Sequence, residues 1–143
     1  MKLQLLLLSA LLAVAQTVFA QAEPGPEDCP QPRFTESAPA DYLARKNPAT
    51  PDGTGKRLYE GAPDGVSCAT CHGVKGDGRG ELSKLFSPPP RNFACARTVR
   101  DVPDGQLFWI IRYGSPGTSM PAHPRMKDTE IWQVVHHLRQ LAR

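Results

Sequence analysis

Five consecutive residues, Cys68-Ala69-Thr70-Cys71-His72, restrict this chain more than any other feature of its sequence. Two thiols two residues apart, followed at once by an imidazole, suit few structures. A thioredoxin-like dithiol needs a strand before it and a helix opening at it. Here Pro63-Asp64-Gly65-Val66 precedes the motif, and no strand–helix alternation surrounds it. A zinc site wants a second Cys or His pair at ligand spacing, whereas His136 and His137 are adjacent and would point in different directions on a helix. A Cys68–Cys71 disulfide would close a very tight loop. What remains is covalent attachment of a c-type haem. Thiols at this spacing reach the two vinyl groups on one edge of a porphyrin, and the next residue falls under the iron. The motif therefore predicts one covalently bound haem c, tethered by Cys68 and Cys71, with His72 as an iron ligand.

The rest of the chain agrees with a fold that borrows its core from a cofactor. Its 143 residues leave room for one domain plus an export signal. Its 15 Pro and 12 Gly predict turn and extended loop over much of its length. Lys2, the apolar runs Leu3–Leu8 and Leu11–Val14, and Val18-Phe19-Ala20 read as a signal peptide cleaved after Ala20. The competing reading is an uncleaved anchor, but the run is short and Gln16 and Thr17 interrupt it. Glu27 and Asp28 stand where a lipid-attachment site at Cys29 would need small residues. A signal together with a haem motif favours a bacterial periplasm. Removing Lys2 lowers the formal charge from +3 to +2, too weak to suggest nucleic acid.

Along the chain, residues 1–20 are read as the signal, 21–51 as a Pro-rich, largely extended leader and 52–143 as the haem domain. A short helical turn is expected over Asp41–Lys46 and a helix over Asp52–Gly61, ended by Ala62-Pro63-Asp64-Gly65. Gly73–Gly80 reads as a loop, and Pro88, Pro89 and Pro90 forbid regular helix. Leu107, Phe108, Ile110 and Ile111 mark a helix from Asp104 that closes at Gly114. Ile131, Val134, Val135, Leu138 and Leu141 recur at three- and four-residue spacing and mark the last helix, capped by Asp128 or Thr129. No convincing strand is visible.

Gly55-Lys56-Arg57-Leu58-Tyr59, then Cys68–Gly73, then Met120-Pro121, then a closing amphipathic helix, resembles a class I cytochrome c from about Asp52 onward. The resemblance implies an all-α cytochrome c fold: three to five short helices wrapped around the haem, with long Pro- and Gly-rich loops. It also implies a crossing of first and last helices at a glycine and an aromatic residue. Gly55 and Tyr59 match the first helix, and His137 takes the aromatic place on the last, with Val134 and Leu138 beside it. Gly117-Thr118-Ser119-Met120-Pro121 is similar to the family loop that carries the distal Met, which makes Met120 the second axial ligand. Met126, between Arg125 and Lys127, and His123 are its rivals. A Met thioether favours Fe(II) and raises the reduction potential.

The same resemblance implies that a proline carbonyl, Pro88 or Pro89, accepts the second N–H of His72. It also puts Thr70, Gly117 and Ser119 on the exposed rim. Arg91 is a partner for a haem propionate or plain exposed surface. Trp109, Trp132 and Tyr113 are pocket or core residues. Cys29 and Cys95 remain after the haem takes two thiols, and an even remainder in an oxidising compartment suggests a disulfide. The function read from these residues is single-electron transfer between protein donor and acceptor, not catalysis. A haem subunit docked in a larger oxidoreductase, with the acidic leader as docking arm, is the alternative. A haem peroxidase or gas sensor would need an open sixth position and distal acid–base residues.

Overall fold

A computed structural model of the chain describes residues 29, 35–61 and 65–142. The expected signal peptide, most of the leader before residue 35 and the turn at Ala62-Pro63-Asp64 lie outside the described residues. Five α-helices follow in order: α1 Ala40–Leu43, α2 Thr54–Glu60, α3 Cys68–His72, α4 Asp104–Tyr113 and α5 Asp128–Leu141. Two 3-10 turns, Ser83–Leu85 and Ala96–Thr98, lie between α3 and α4. Among the described residues there is no strand, and no helix is long and apolar enough to cross a membrane. The fold is all-α, as the sequence implied.

Local chemistry sets most helix ends. The turn expected over Asp41–Lys46 begins earlier, because the Pro39 carbonyl accepts from the N–H groups of both Tyr42 and Leu43. α4 ends where Gly114 takes φ +84°, a conformation that L side chains rarely adopt. α5 starts differently from expectation. Its cap position is Lys127, and the Glu130 carboxylate accepts the Lys127 N–H at 2.7 Å. The acid that closes this end therefore comes from the first helical turn rather than from Asp128 or Thr129.

α2 and α5 cross where Gly55 meets the Gln133 backbone. A Cβ at Gly55 would stand 2.0 Å from the Gln133 carbonyl oxygen. Tyr59, fully buried, lies edge-on to His137 at 5.1 Å, and its hydroxyl donates to the Gly73 carbonyl at 2.7 Å. His137 thus fills the aromatic place with an imidazole. Its Nε2 is buried with no partner, and burial holds the group below its usual value of 6.5. Below about pH 6.5 the folded state binds fewer protons here than the unfolded chain, so stability present above that pH is lost as pH falls. His137→Phe should keep the ring contact and remove the titration. Its melting temperature should change less between about pH 7 and pH 5 than the parent's. Equal slopes would show that the pH dependence resides elsewhere.

Ile131, Val134, Val135 and Leu138 of α5 join Phe108 and Ile111 of α4 in the core. Trp132 belongs to it too, 4.5 Å from the Phe108 ring, and does not line the cleft described below. The segment before α2 lies against this body. Asn47 Nδ2 donates to the Trp132 carbonyl at 2.9 Å, and Gln133 Nε2 donates to the Thr50 carbonyl at 2.9 Å. Cys29 and Cys95 form a disulfide across a sequence separation of 66. Replacing both by serine should cost about 4 kcal/mol of stability by loop-closure entropy. Chemical denaturation should then show a lower midpoint, and an unchanged midpoint would mean that the bridge adds nothing to the folded state.

Candidate functional site: an apolar cleft over the attachment motif

The five residues of the motif form a helix of their own, α3. Ser67 precedes it, and its Oγ accepts the Thr70 N–H at 3.2 Å. The carbonyls at the far end are taken by the glycine-rich loop that follows. Gly73 donates to Ala69 at 2.8 Å, Gly78 to His72 at 2.8 Å and Gly80 to Cys71 at 3.1 Å. Gly80 passes so close that a Cβ there would sit 2.3 Å from the Thr70 carbonyl oxygen. The loop anticipated over Gly73–Gly80 is therefore a tight backbone cap that sets α3 in one orientation.

Held this way, Cys68, Cys71 and His72 face a cleft whose other walls come from the proline run, from α4 and from the loop after it. Met120 lines the same cleft, as do Pro88, Pro89 and Arg91. Most of the wall is apolar, with Phe86, Phe93, Leu107, Ile110 and Ile111 among its side chains. Phe93 stacks on the His72 ring at 4.6 Å. The His72 Nδ1 lies 3.0 Å from the Arg91 carbonyl oxygen, a backbone acceptor that sequence reasoning did not name beside Pro88 and Pro89. That contact fixes the orientation of the ring through its Nδ1. The Arg91 guanidinium donates to the Thr98 carbonyl at 2.7 Å and braces the same loop.

The loop bearing Met120 is fastened to the end of α4. Ser115 N–H donates to the Met120 carbonyl at 3.2 Å, and His123 N–H donates to the Ile111 carbonyl at 3.0 Å. Arg112 reaches across and donates to the carbonyls of Pro124 at 3.1 Å and Met126 at 2.6 Å, and it pairs with Asp128. Nothing in the sequence pattern singled out Arg112. Of the rivals for the distal place, Met126 is buried in the core and does not line the cleft, whereas His123 does line it. Trp109 and Tyr113 are not among the lining residues, and Tyr113 is 53% exposed with its hydroxyl 2.6 Å from that of Tyr42.

The electrostatics disfavour a dithiol exchange centre. Burial pushes the Cys68 thiol up to about 11 and raises Cys71 as well. Exchange catalysts do the opposite and stabilise a thiolate near neutral pH. Among the described residues no group of three or more His, Cys, Asp or Glu side chains could hold a metal ion by itself, so the zinc reading finds no ligand set. The residues present suit a haem: one largely apolar cleft is lined by an imidazole, a thioether and the two thiols of the motif.

These features define a small all-α protein whose apolar cleft gathers a C-x-x-C-H motif and a methionine. The chain belongs to the cytochrome c family, whose signature, described as Cytochrome c, matches residues 53–142. Membership implies covalently bound haem c. Among curated proteins no match is found. Among solved structures, a chain of the Kuenenia stuttgartiensis reducing HAO-like protein complex Kustc0457/Kustc0458 is similar, at 23% identity and a TM-score of 0.56. The alignment covers 71% of this chain and 49% of that one, so the present chain spans about half the length of its structural relative. At this identity the likeness bears on the fold alone.

Proposed function

We propose that the chain is a periplasmic single-haem electron carrier in which Cys68 and Cys71 hold the haem and His72 and Met120 ligate its iron. The observation that carries this reading is the convergence of the α3 motif and the Met120 loop on one apolar cleft. Haem c, when bound, supplies a one-electron Fe(III)/Fe(II) couple. The protein's part is to keep that couple in one geometry. The Arg91 carbonyl steadies His72, and the bonds from Ile111, Arg112 and Ser115 steady the loop of Met120. His72 and Met120 would hold the iron of a bound haem, and the iron so held would be closed to small ligands. Val66 lines the cleft and is 51% exposed, which supports an open edge through which a docked partner exchanges electrons. Transfer of this kind needs weak, reversible docking rather than a substrate pocket.

The test is the purified protein itself. Haem quantified against protein should give one haem per chain. The oxidised spectrum should carry the weak far-red band of a sulfur–Fe(III) bond. A high-spin spectrum without that band would replace electron transfer with ligand-binding chemistry. Size-exclusion chromatography of the native extract separates a free carrier, running as a monomer, from a haem subunit of an oxidoreductase complex.

A further inference from the structure

We infer that the segment ahead of α2 is a wall of the haem cleft, and that Gln106 is the positioning residue that seats it there. The inference rests on the reading of the cleft as a haem site. Thr35 lines the cleft together with residues of α3, α4 and the Met120 loop, although it lies outside the stretch matched to the family. From Thr35 the chain runs along α4 and is gripped at once. Gln106 is buried, and both ends of its amide engage this one stretch of backbone. Nε2 donates to the Glu36 carbonyl at 2.8 Å, and Oε1 accepts the Ala38 N–H at 2.7 Å. A buried amide left without those partners would be destabilising, so the seat is specific. Ala38 is itself buried.

The next contacts extend the seat. A Cβ at Gly105 would stand 1.7 Å from the Tyr42 carbonyl oxygen, so the helix backbone and the leader backbone touch there. The Tyr42 ring then lies 6.1 Å from Phe108. Gln106 does not line the cleft, but Leu107, Ile110 and Ile111 on the same helix do. α4 is therefore held between the leader on one side and the cleft on the other, and the leader reaches the cleft wall at Thr35. Burial and local polarity are two of the properties by which a protein sets a haem potential. A wall that excludes water disfavours the more highly charged Fe(III) state and raises the potential.

The experiment uses the full-length holoprotein in spectroelectrochemical titration. Gln106→Leu removes both hydrogen bonds and keeps the apolar volume. Thr35→Glu leaves the Gln106 seat intact and puts a carboxylate on the wall itself. Each should favour the oxidised state. At a fixed ambient potential the oxidised-to-reduced ratio should rise about tenfold, a downward shift of about 59 mV for a one-electron couple. Gln106→Glu, which keeps the acceptor for Ala38, should fall between Gln106→Leu and the parent. A clamp that serves stability alone would lower the melting temperature of Gln106→Leu and leave its potential unchanged. That result, or an unshifted potential in Thr35→Glu, overturns the inference. A parent protein without haem or without the His/Met spectrum would instead refute the function proposed above, which separates the two failures.

Discussion

Replacing Met120 by alanine is expected to convert the iron from a low-spin centre closed to small ligands into one that binds carbon monoxide, with a lower reduction potential. Three expected readouts follow from one lost sulfur. The far-red sulfur–Fe(III) band disappears from the oxidised spectrum. The reduced protein takes up carbon monoxide. The potential falls because the soft thioether that favours Fe(II) is gone. The structure also says why the site should open rather than collapse. The loop is held by backbone bonds at Ser115, Met120, Ile111 and His123 and by the Arg112 grip, none of which needs the Met120 side chain. Truncation therefore leaves its backbone supports in place. A variant that stayed low-spin and refused carbon monoxide would remove Met120 from the iron. Attention would then pass to His123, which lines the cleft, and not to Met126, which sits in the core.

A second substitution should have a larger effect on the fold than on the site. Gly55→Val is expected to abolish accumulation of haem-loaded protein. The added Cβ would stand 2.0 Å from the Gln133 carbonyl oxygen and 3.1 Å from the His137 Cβ. The first of these neighbours is backbone, so no rotamer change relieves it, and the helices must separate. Separation uncovers Tyr59, which is fully buried, and breaks its bond to the Gly73 carbonyl at the mouth of the glycine-rich loop. That loop caps α3, so the damage runs directly from the helix crossing to the residues of the C-x-x-C-H motif. The cost should be on the order of 4 kcal/mol or more, comparable with the whole stability of many small domains. Holoprotein yield and the denaturation midpoint are the measurements. A Gly55→Val protein with the parent's midpoint would show that α2 and α5 do not meet as described.

The parts of this protein that could be read early are those encoded at short range. Cys68, Cys71 and His72 carry their geometry in a spacing of a few residues. α4 and α5 announce themselves through apolar residues recurring at the helical period, and Gly114 marks an end because few other residues take its conformation. That Met120 lines the same cleft as the motif was legible because the Pro- and Gly-rich loop around it resembles a known one. The pairing of Cys29 with Cys95 is expected from the even remainder of thiols outside the C-x-x-C-H motif, and the structure joins them.

The rest depended on which distant residues come together. Arg91 was considered for its side chain, but its backbone carbonyl is what stands against His72. Arg112 and Gln106 have no motif, and each matters because of carbonyls and N–H groups many residues away. Core packing is the favoured expectation for Trp132, and the packing of α5 on α4 supplies its partner, Phe108. The sequence by itself determined that this chain is a cytochrome c with helices in given places, because covalent chemistry and helical periodicity are local. The tertiary structure alone decided what steadies the two candidate ligands and what walls the cleft, because backbone hydrogen-bonding groups are alike at every residue and become specific only when packing selects their partners.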